Sequence, residues 1–116
     1  MGFAQDRGRA AEAMAASYLE LMGCRVVARN ARLGGVEVDL VVDDLGVTVI
    51  AEVRMRTRGD YGGAALTVDH RKQQRLVRAA LALEQQGAHR VRVDVVAVDI
   101  TPDGATLTHY RNAVME

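Results

Sequence analysis

A chain of 116 residues, nearly half of them apolar, predicts a single domain over residues 1–116, and its one cysteine excludes an internal disulfide. The formal net charge is zero, so total charge favours no class of charged partner. No apolar stretch is long enough to span a membrane and no signal-peptide pattern opens the chain, so we expect a cytoplasmic protein.

The first half of the sequence predicts a helix and then three strands. The helix covers residues 6–22, with Asp6 as its N-cap and Gly23 as its stop. Its apolar stripe is predicted to contain Ala11, Met14, Ala15, Tyr18, Leu21 and Met22. Glu12 falls on the border of that stripe, where it either points outward or faces a shared site. The strands are predicted at residues 24–29, 36–42 and 47–54.

The second and third strands predict a hairpin, because a turn signal at 43–46 separates two alternating runs. The alternation puts the residues from Val36 to Val42 with even numbers on one face, and Asp39 on the other. If Val42 pairs with Val47, Asp39 and Glu52 are diagonal neighbours; a shift of two residues sets them directly opposite. A slip of one residue would put the apolar faces out of alignment, so both allowed registers keep the two acids together.

The second half predicts a loop at 56–67 and a helix with Asp69 as N-cap, ending at Gly87. Strands follow at 91–100 and 105–110, so the order is α-β-β-β-α-β-β and the class is mixed α/β.

Positive charge is concentrated between Arg54 and Arg92, where the sequence has nine basic residues and three acidic ones. Such an excess indicates either an ordinary solvated face or a surface for phosphate groups. The candidate phosphate contacts are Arg56, Arg58, Arg71, Lys72, Arg75 and Arg78.

Three carboxylates, Glu37, Asp39 and Glu52, share one face of the predicted hairpin and repel one another. Oxygen ligands of this kind suit Mg²⁺, which would polarise a phosphodiester. The alternative is a salt-bridge cluster in which Arg54 and Arg56 neutralise the acids without a metal.

The sequence resembles the YraN family of small bacterial proteins. The matching positions are Gly8, Glu12, Ala15, Tyr18, Leu19, Asn30, Glu37-Val38-Asp39-Leu40, Glu52-Val53-Arg54, Arg56, Lys72, Arg92-Val93-Asp94-Val95-Val96 and Asn112-Ala113. The resemblance implies a restriction-endonuclease-like fold, similar to Holliday junction resolvases of the PD-(D/E)XK type. It implies an endonuclease active with Mg²⁺ or Mn²⁺, in which Glu12, Asp39 and Glu52 bind the metal and Glu37 is auxiliary.

Three positions depart from the family pattern. Ala11 and Val36 stand where the family has glycine, and Arg54 stands where it has the catalytic lysine. Arginine keeps the charge but is bulkier and does not lose a proton near neutral pH, so we expect cleavage to be weakened or lost. Lys72 either reaches into the site from the second helix or is an ordinary first-turn lysine.

Two functions follow from this pattern. The first is a nuclease-like protein that acts on DNA or a branched nucleic acid, in which Arg54 contacts a phosphate group. The second is a non-catalytic module on the same fold that binds nucleic acid or a protein partner. A homodimer would suit a branched substrate, but no residue demands one.

The remaining polar residues predict no second site. His70, His89 and His109 lack zinc-ligand spacing and are predicted at the surface or at an edge. Asp94 alternates with Arg92 along its strand and is predicted to form a cross-strand ion pair, and Cys24 is predicted to pack in the core.

Overall fold

Within residues 3–56 and 69–113, which the computed structural model describes with side chains at 8–55 and 69–113, the chain forms a five-stranded mixed sheet with one helix on each face. The elements are α1 Phe3–Leu21, β1 Arg25–Leu33, β2 Val36–Asp44, β3 Val47–Arg56, α2 His70–Gln85, β4 Val91–Thr101 and β5 Gly104–Tyr110. This order and class confirm the prediction. The predicted loop at 56–67 falls largely outside the described residues.

The strands lie in the sheet in the same order as in the chain. Neighbouring strands are antiparallel except β3 and β4, which are parallel because α2 carries the chain back across the sheet. The turns between β1 and β2 and between β2 and β3 are tight. Gly34 and Gly35 have φ of 58° and 79°, and Leu45 and Gly46 have φ of 50° and 94°, as two-residue type I′ turns require. The strands therefore run longer than predicted.

The sheet separates two hydrophobic cores. One contains residues of α2 with Val38, Val41, Ile50, Val93 and Val95. The other contains residues of α1 with Leu40, Val42, Val49, Ala51, Val96 and Val98. Because β4 contributes to both cores, its residues 95–98 form a continuous apolar run, as expected of a strand covered on both faces.

The buried side of α1 differs from the prediction. Ala11 and Ala15 are buried as expected, but Leu21 and Met22 are 87% and 52% exposed. Leu19 and Ala16 take their place. The predicted cap was also wrong, because the helix begins at Phe3 and residue 6 lies inside it. The buried stripe is rotated toward Ala16, which brings Glu12, one turn earlier, closer to the sheet than predicted.

The alternation along β2 changes face at Asp39, contrary to the prediction. Val38 packs on the α2 side of the sheet, whereas Leu40 packs on the α1 side. Opposite Asp39 on β1 lies Asn30, whose φ of 50° is in the left-handed region. A residue in the left-handed region interrupts the alternation of side chains between the two faces of its strand. Because residues paired across two strands point to the same face, the alternation along β2 is interrupted at the same place as that along β1.

Candidate functional site

Asp39 and Glu52 face each other across β2 and β3. Leu40 pairs with Ala51, and the same register, continued by one residue, sets Asp39 opposite Glu52. Of the two predicted registers, the one shifted by two residues is therefore the one observed. Glu52 is only 4% exposed, and Asp39 is half-buried. The Val53 N–H donates to Asp39 Oδ2 at 2.8 Å, so the carboxylate replaces a backbone acceptor where the ladder ends.

The two carboxylates perturb each other. Burial, and then the charge of Glu52, raise the pKa of Asp39 to about 6, although the Val53 N–H and the Lys72 ammonium oppose the rise. A hydrogen bond between the two carboxyl groups adds to the rise, since it forms only when one of them carries a proton. The carboxyl groups of Asp39 and Glu52 are therefore close enough to interact strongly, and both are partly shielded from water.

The two oxygens of Glu52 have different surroundings. Lys72 Nζ lies 2.6 Å from Oε2. Oε1 is buried and, among the residues that the structure describes, receives no hydrogen bond. A buried anionic oxygen without a donor is an unfavourable arrangement unless a cation completes it. The pair thus offers the hard oxygen ligands that Mg²⁺ or Mn²⁺ prefers, and the residues fit such an ion.

Glu12 and Glu37 lie near this pair. Burial, and then the charges of Asp39 and Glu37, raise the pKa of Glu12, so both of these acids lie within electrostatic range of Glu12. Glu37 is exposed. Across residues 3–56 and 69–113, three His, Cys, Asp or Glu side chains do not converge on one point. The ligand set of Glu12, Asp39 and Glu52 stays a prediction, with Asp39 and Glu52 as its central pair.

The basic residues predicted near the phosphate groups differ in their exposure and partners. Arg71, Arg75 and Arg78 are exposed on α2, whereas Lys72 is half-buried and paired with Glu52. Arg54 is half-buried and alternates onto the same face of β3 as Glu52. The Arg56 side chain and all of Arg58 lie outside the described residues.

Comparison with known proteins assigns the chain to a family. Residues 11–98 match the family described as "Uncharacterised protein family UPF0102". The chain belongs to this family. It is the YraN family that the motifs resemble. A UPF0102 protein of Halorhodospira halophila is 48% identical over 95 residues, covering 82% of this chain and 78% of that protein. A UPF0102 protein of Stutzerimonas stutzeri is 41% identical over 117 residues, covering 97% and 98%.

Part of the UPF0102 motif forms a second polar cluster, on the α1 side of the sheet, that sequence reasoning largely missed. Asp94 is fully buried and accepts from Arg92 Nε and Nη2 at 2.8 and 3.0 Å and from the Asn112 N–H at 2.9 Å. His109 Nε2 lies 2.8 Å from Asp94, and its Nδ1 lies 3.1 Å from the Tyr18 hydroxyl. The predicted ion pair of Asp94 forms with Arg92 within β4 rather than across strands, and the contact across strands is the one with His109 of β5.

His109 lies on the edge strand β5, one of the two predicted places, but its side chain is not at the surface, because it is only 6% exposed. Burial alone raises the pKa of Asp94, but hydrogen bonds from Arg92, Asn112 and His109 outweigh it and lower that pKa. The cluster ties α1, β4, β5 and the following residues together, so this half of the motif is structural. The signal available in the sequence was an Arg-x-Asp pair inside an apolar strand, where both charges must find partners.

Two smaller predictions also have outcomes. Cys24 is half-buried and packs against the α1-side core, as predicted, and burial raises the pKa of its thiol. Within the described part of the chain, neither helix has the length and apolar character of a membrane span.

The raised pKa of Asp39 predicts a pH-dependent stability without added metal. Between pH about 4 and 6 the folded protein holds a proton that the unfolded chain releases, so the free energy of unfolding falls as pH rises through this window. Asp39→Asn removes the titrating group. We expect the variant to lose most of this fall, as measured by urea unfolding in EDTA from pH 4 to 7.

Asp43→Asn serves as the control, because Asp43 is a carboxylate of the same strand and lies near its end, four residues from Asp39. Wild-type protein and the Asp43 variant should show the same slope. A slope that survives Asp39→Asn would assign the titration to another group.

Proposed function

We propose that this UPF0102 protein binds the phosphodiester backbone of nucleic acid and holds a divalent ion at Asp39 and Glu52 for phosphodiester hydrolysis. The observation that carries the proposal is the Asp39–Glu52 pair: two carboxylates in one pocket, one with a pKa raised to about 6 and the other with a buried oxygen that receives no hydrogen bond from the described residues. Such perturbed groups are typical of functional sites.

Asp39 and Glu52 would hold Mg²⁺ or Mn²⁺, with Glu12 as a third ligand and Glu37 as an auxiliary acid. A bound ion would supply a polarised phosphodiester and an activated water. The chain provides the setting for that chemistry. The Val53 N–H fixes the orientation of Asp39, and the sheet excludes water from Glu52.

The exposed arginines of α2 would hold the nucleic-acid backbone. Arg71, Arg75 and Arg78 lie on the helix whose first turn carries Lys72 to the carboxylate pair, so a backbone held by α2 passes near that pair. Contacts to phosphate position a duplex without reading its sequence. We therefore propose DNA or a branched nucleic acid as the partner, without sequence preference.

A direct test combines binding with cleavage. Fluorescence anisotropy would measure binding to duplex, single-stranded and four-way DNA across a salt series, and gels would follow nicking in Mg²⁺, in Mn²⁺ and in EDTA. Binding with metal-dependent nicking supports the proposal. Binding without nicking favours the non-catalytic module. Absence of binding at low salt removes both nucleic-acid functions and favours a protein partner.

Shortening the exposed arginines of α2 is expected to weaken binding evenly across DNA sequences. Each lost phosphate contact should reduce the slope of log K against log salt by about 0.9. We expect Arg75→Ala/Arg78→Ala to reduce the slope by about 2 if both contact phosphate. Salt titrations monitored by anisotropy give this slope directly.

Arg25→Ala/Arg90→Ala is the matched control, since both arginines are exposed and lie at the other end of the strands from Asp39 and Glu52. It should leave the slope unchanged. If both variants reduced the slope equally, the result would indicate a general effect of charge rather than a binding surface on α2.

A further inference from the structure

Lys72 leaves the exposed basic side of α2 and enters the carboxylate pocket. Its neighbours Arg71 and Arg75 are exposed, whereas its own side chain is 36% exposed and its Nζ lies 2.6 Å from Glu52 Oε2. The start of the helix is fixed locally, because Asp69 caps it by accepting from the Lys72 N–H at 2.8 Å. The cap thus determines which residue of the first turn faces β3.

We propose that Lys72 supplies the cationic contact to the scissile phosphodiester at this site, the role that position 54 would have if it held a lysine; this rests on the proposed function. The ammonium already lies on the buried acid of the pair, and the exposed third of the side chain is open to a ligand entering from solvent.

The chemistry of the two cations favours this assignment. An ammonium is a compact point charge with three rotatable donors, so it can contact Glu52 and a phosphate oxygen together. The guanidinium of Arg54 is larger and donates in a fixed plane. The four-carbon stem of Lys72 spans the gap between α2 and the sheet, so the charge reaches the pair from α2 rather than from β3.

The chain offers a direct reporter for this contact, because Lys72 is its single lysine. Protein made with ¹³C-lysine carries the label at Lys72 alone and keeps the ammonium and its three donors unmodified. We expect the Lys72 Cε signal to shift in Glu52→Gln and to shift again when duplex DNA and Ca²⁺ are added to wild-type protein. Glu84→Gln, at an exposed position of α2, is the control and should leave the signal in place. A Lys72 signal that stays in place while anisotropy shows DNA bound would overturn the proposal.

Variants then test the role in cleavage. Lys72→Met should slow metal-dependent nicking by about 100-fold or more, the usual loss for one electrostatic contact to a transition state. Arg25→Met, which shortens an exposed arginine at the start of β1, should stay within about threefold of wild type. Arg54→Lys/Lys72→Met should recover part of the loss, because it moves the lysine to the family position. Nicking by Lys72→Met at the wild-type rate would contradict the role.

The outcomes separate this inference from the proposed function. Wild-type protein that binds DNA but does not nick it removes the cleavage part of the proposed function, while the NMR shift still decides whether Lys72 contacts the phosphodiester. Absence of DNA binding overturns both. If Lys72→Met does not fold because Glu52 loses its partner, the NMR measurement on wild-type protein decides.

Discussion

Asp94→Asn is expected to lower the free energy of unfolding by about 3–5 kcal/mol, because removing one partner of a buried ion pair leaves the other charge uncompensated. Asp94 is fully buried and accepts hydrogen bonds from the Arg92 side chain and the Asn112 backbone, with His109 beside it. Asparagine keeps the shape but loses the charge and presents a donor where an acceptor is required. Urea unfolding at pH 7 measures the change.

Asp103→Asn is the matched control, because Asp103 is exposed in the turn between β4 and β5. It should alter stability by no more than about 0.5 kcal/mol. The cluster and the Asp39–Glu52 pair lie on opposite sides of the sheet, so Asp94→Asn should leave divalent-ion affinity unchanged in the fraction that stays folded. A loss below about 1 kcal/mol would show that the cluster is not a main contributor to stability.

The second large effect is expected from Glu52→Gln, which should abolish divalent-ion binding and slow metal-dependent nicking by about 1,000-fold or more. The reason is that a metal ligand contributes several kcal/mol to the transition state, and each 1.36 kcal/mol is a factor of ten. Glutamine is nearly isosteric but carries no charge. Calorimetric titration with Mn²⁺ measures binding without relying on activity.

The same variant should also lower the pKa of Asp39 toward its ordinary value, because the charge of Glu52 is a main cause of the rise after burial. NMR titration of the Asp39 carboxyl gives this second readout. Glu84→Gln, at an exposed position of α2, is the control and should leave both quantities unchanged. Wild-type affinity for Mn²⁺ in Glu52→Gln would end the case for a metal at this pair.

Local patterns were sufficient for most of the fold. The Asp69 cap, the Gly87 stop and the alternating run of β3 are each determined by neighbours in sequence, so α2 and the hairpin were predicted close to their observed bounds. The pairing of Asp39 with Glu52 was narrowed to two registers, because a slip of one residue would misplace every side chain. The exact register depended on the turn, which closes with Leu45 and Gly46 alone.

Other features depended on contacts between distant parts of the chain. The alternation expected of a regular strand put Val38 and Leu40 on one face of the sheet. The left-handed Asn30 on the neighbouring strand interrupts that alternation, so the two side chains point to opposite faces. Leu21 is exposed although it was assigned to the core. Helical spacing predicts which residues share one side of a helix, but it does not determine which side is turned toward the sheet. His109 is buried only because Tyr18 and Asp94 meet it from other elements.

Sequence alone established the family, the element order and the presence of acids on one hairpin, since these follow from local spacing and residue chemistry. The tertiary structure decided that the Lys72 ammonium contacts one of those acids, Glu52. Glu52 and Lys72 are 20 positions apart and lie on different elements, and their contact at 2.6 Å exists because α2 crosses the sheet with its first turn above β3. A lysine read as part of a basic helix surface thus becomes part of the carboxylate pocket, because the path of the chain between β3 and β4 places it there.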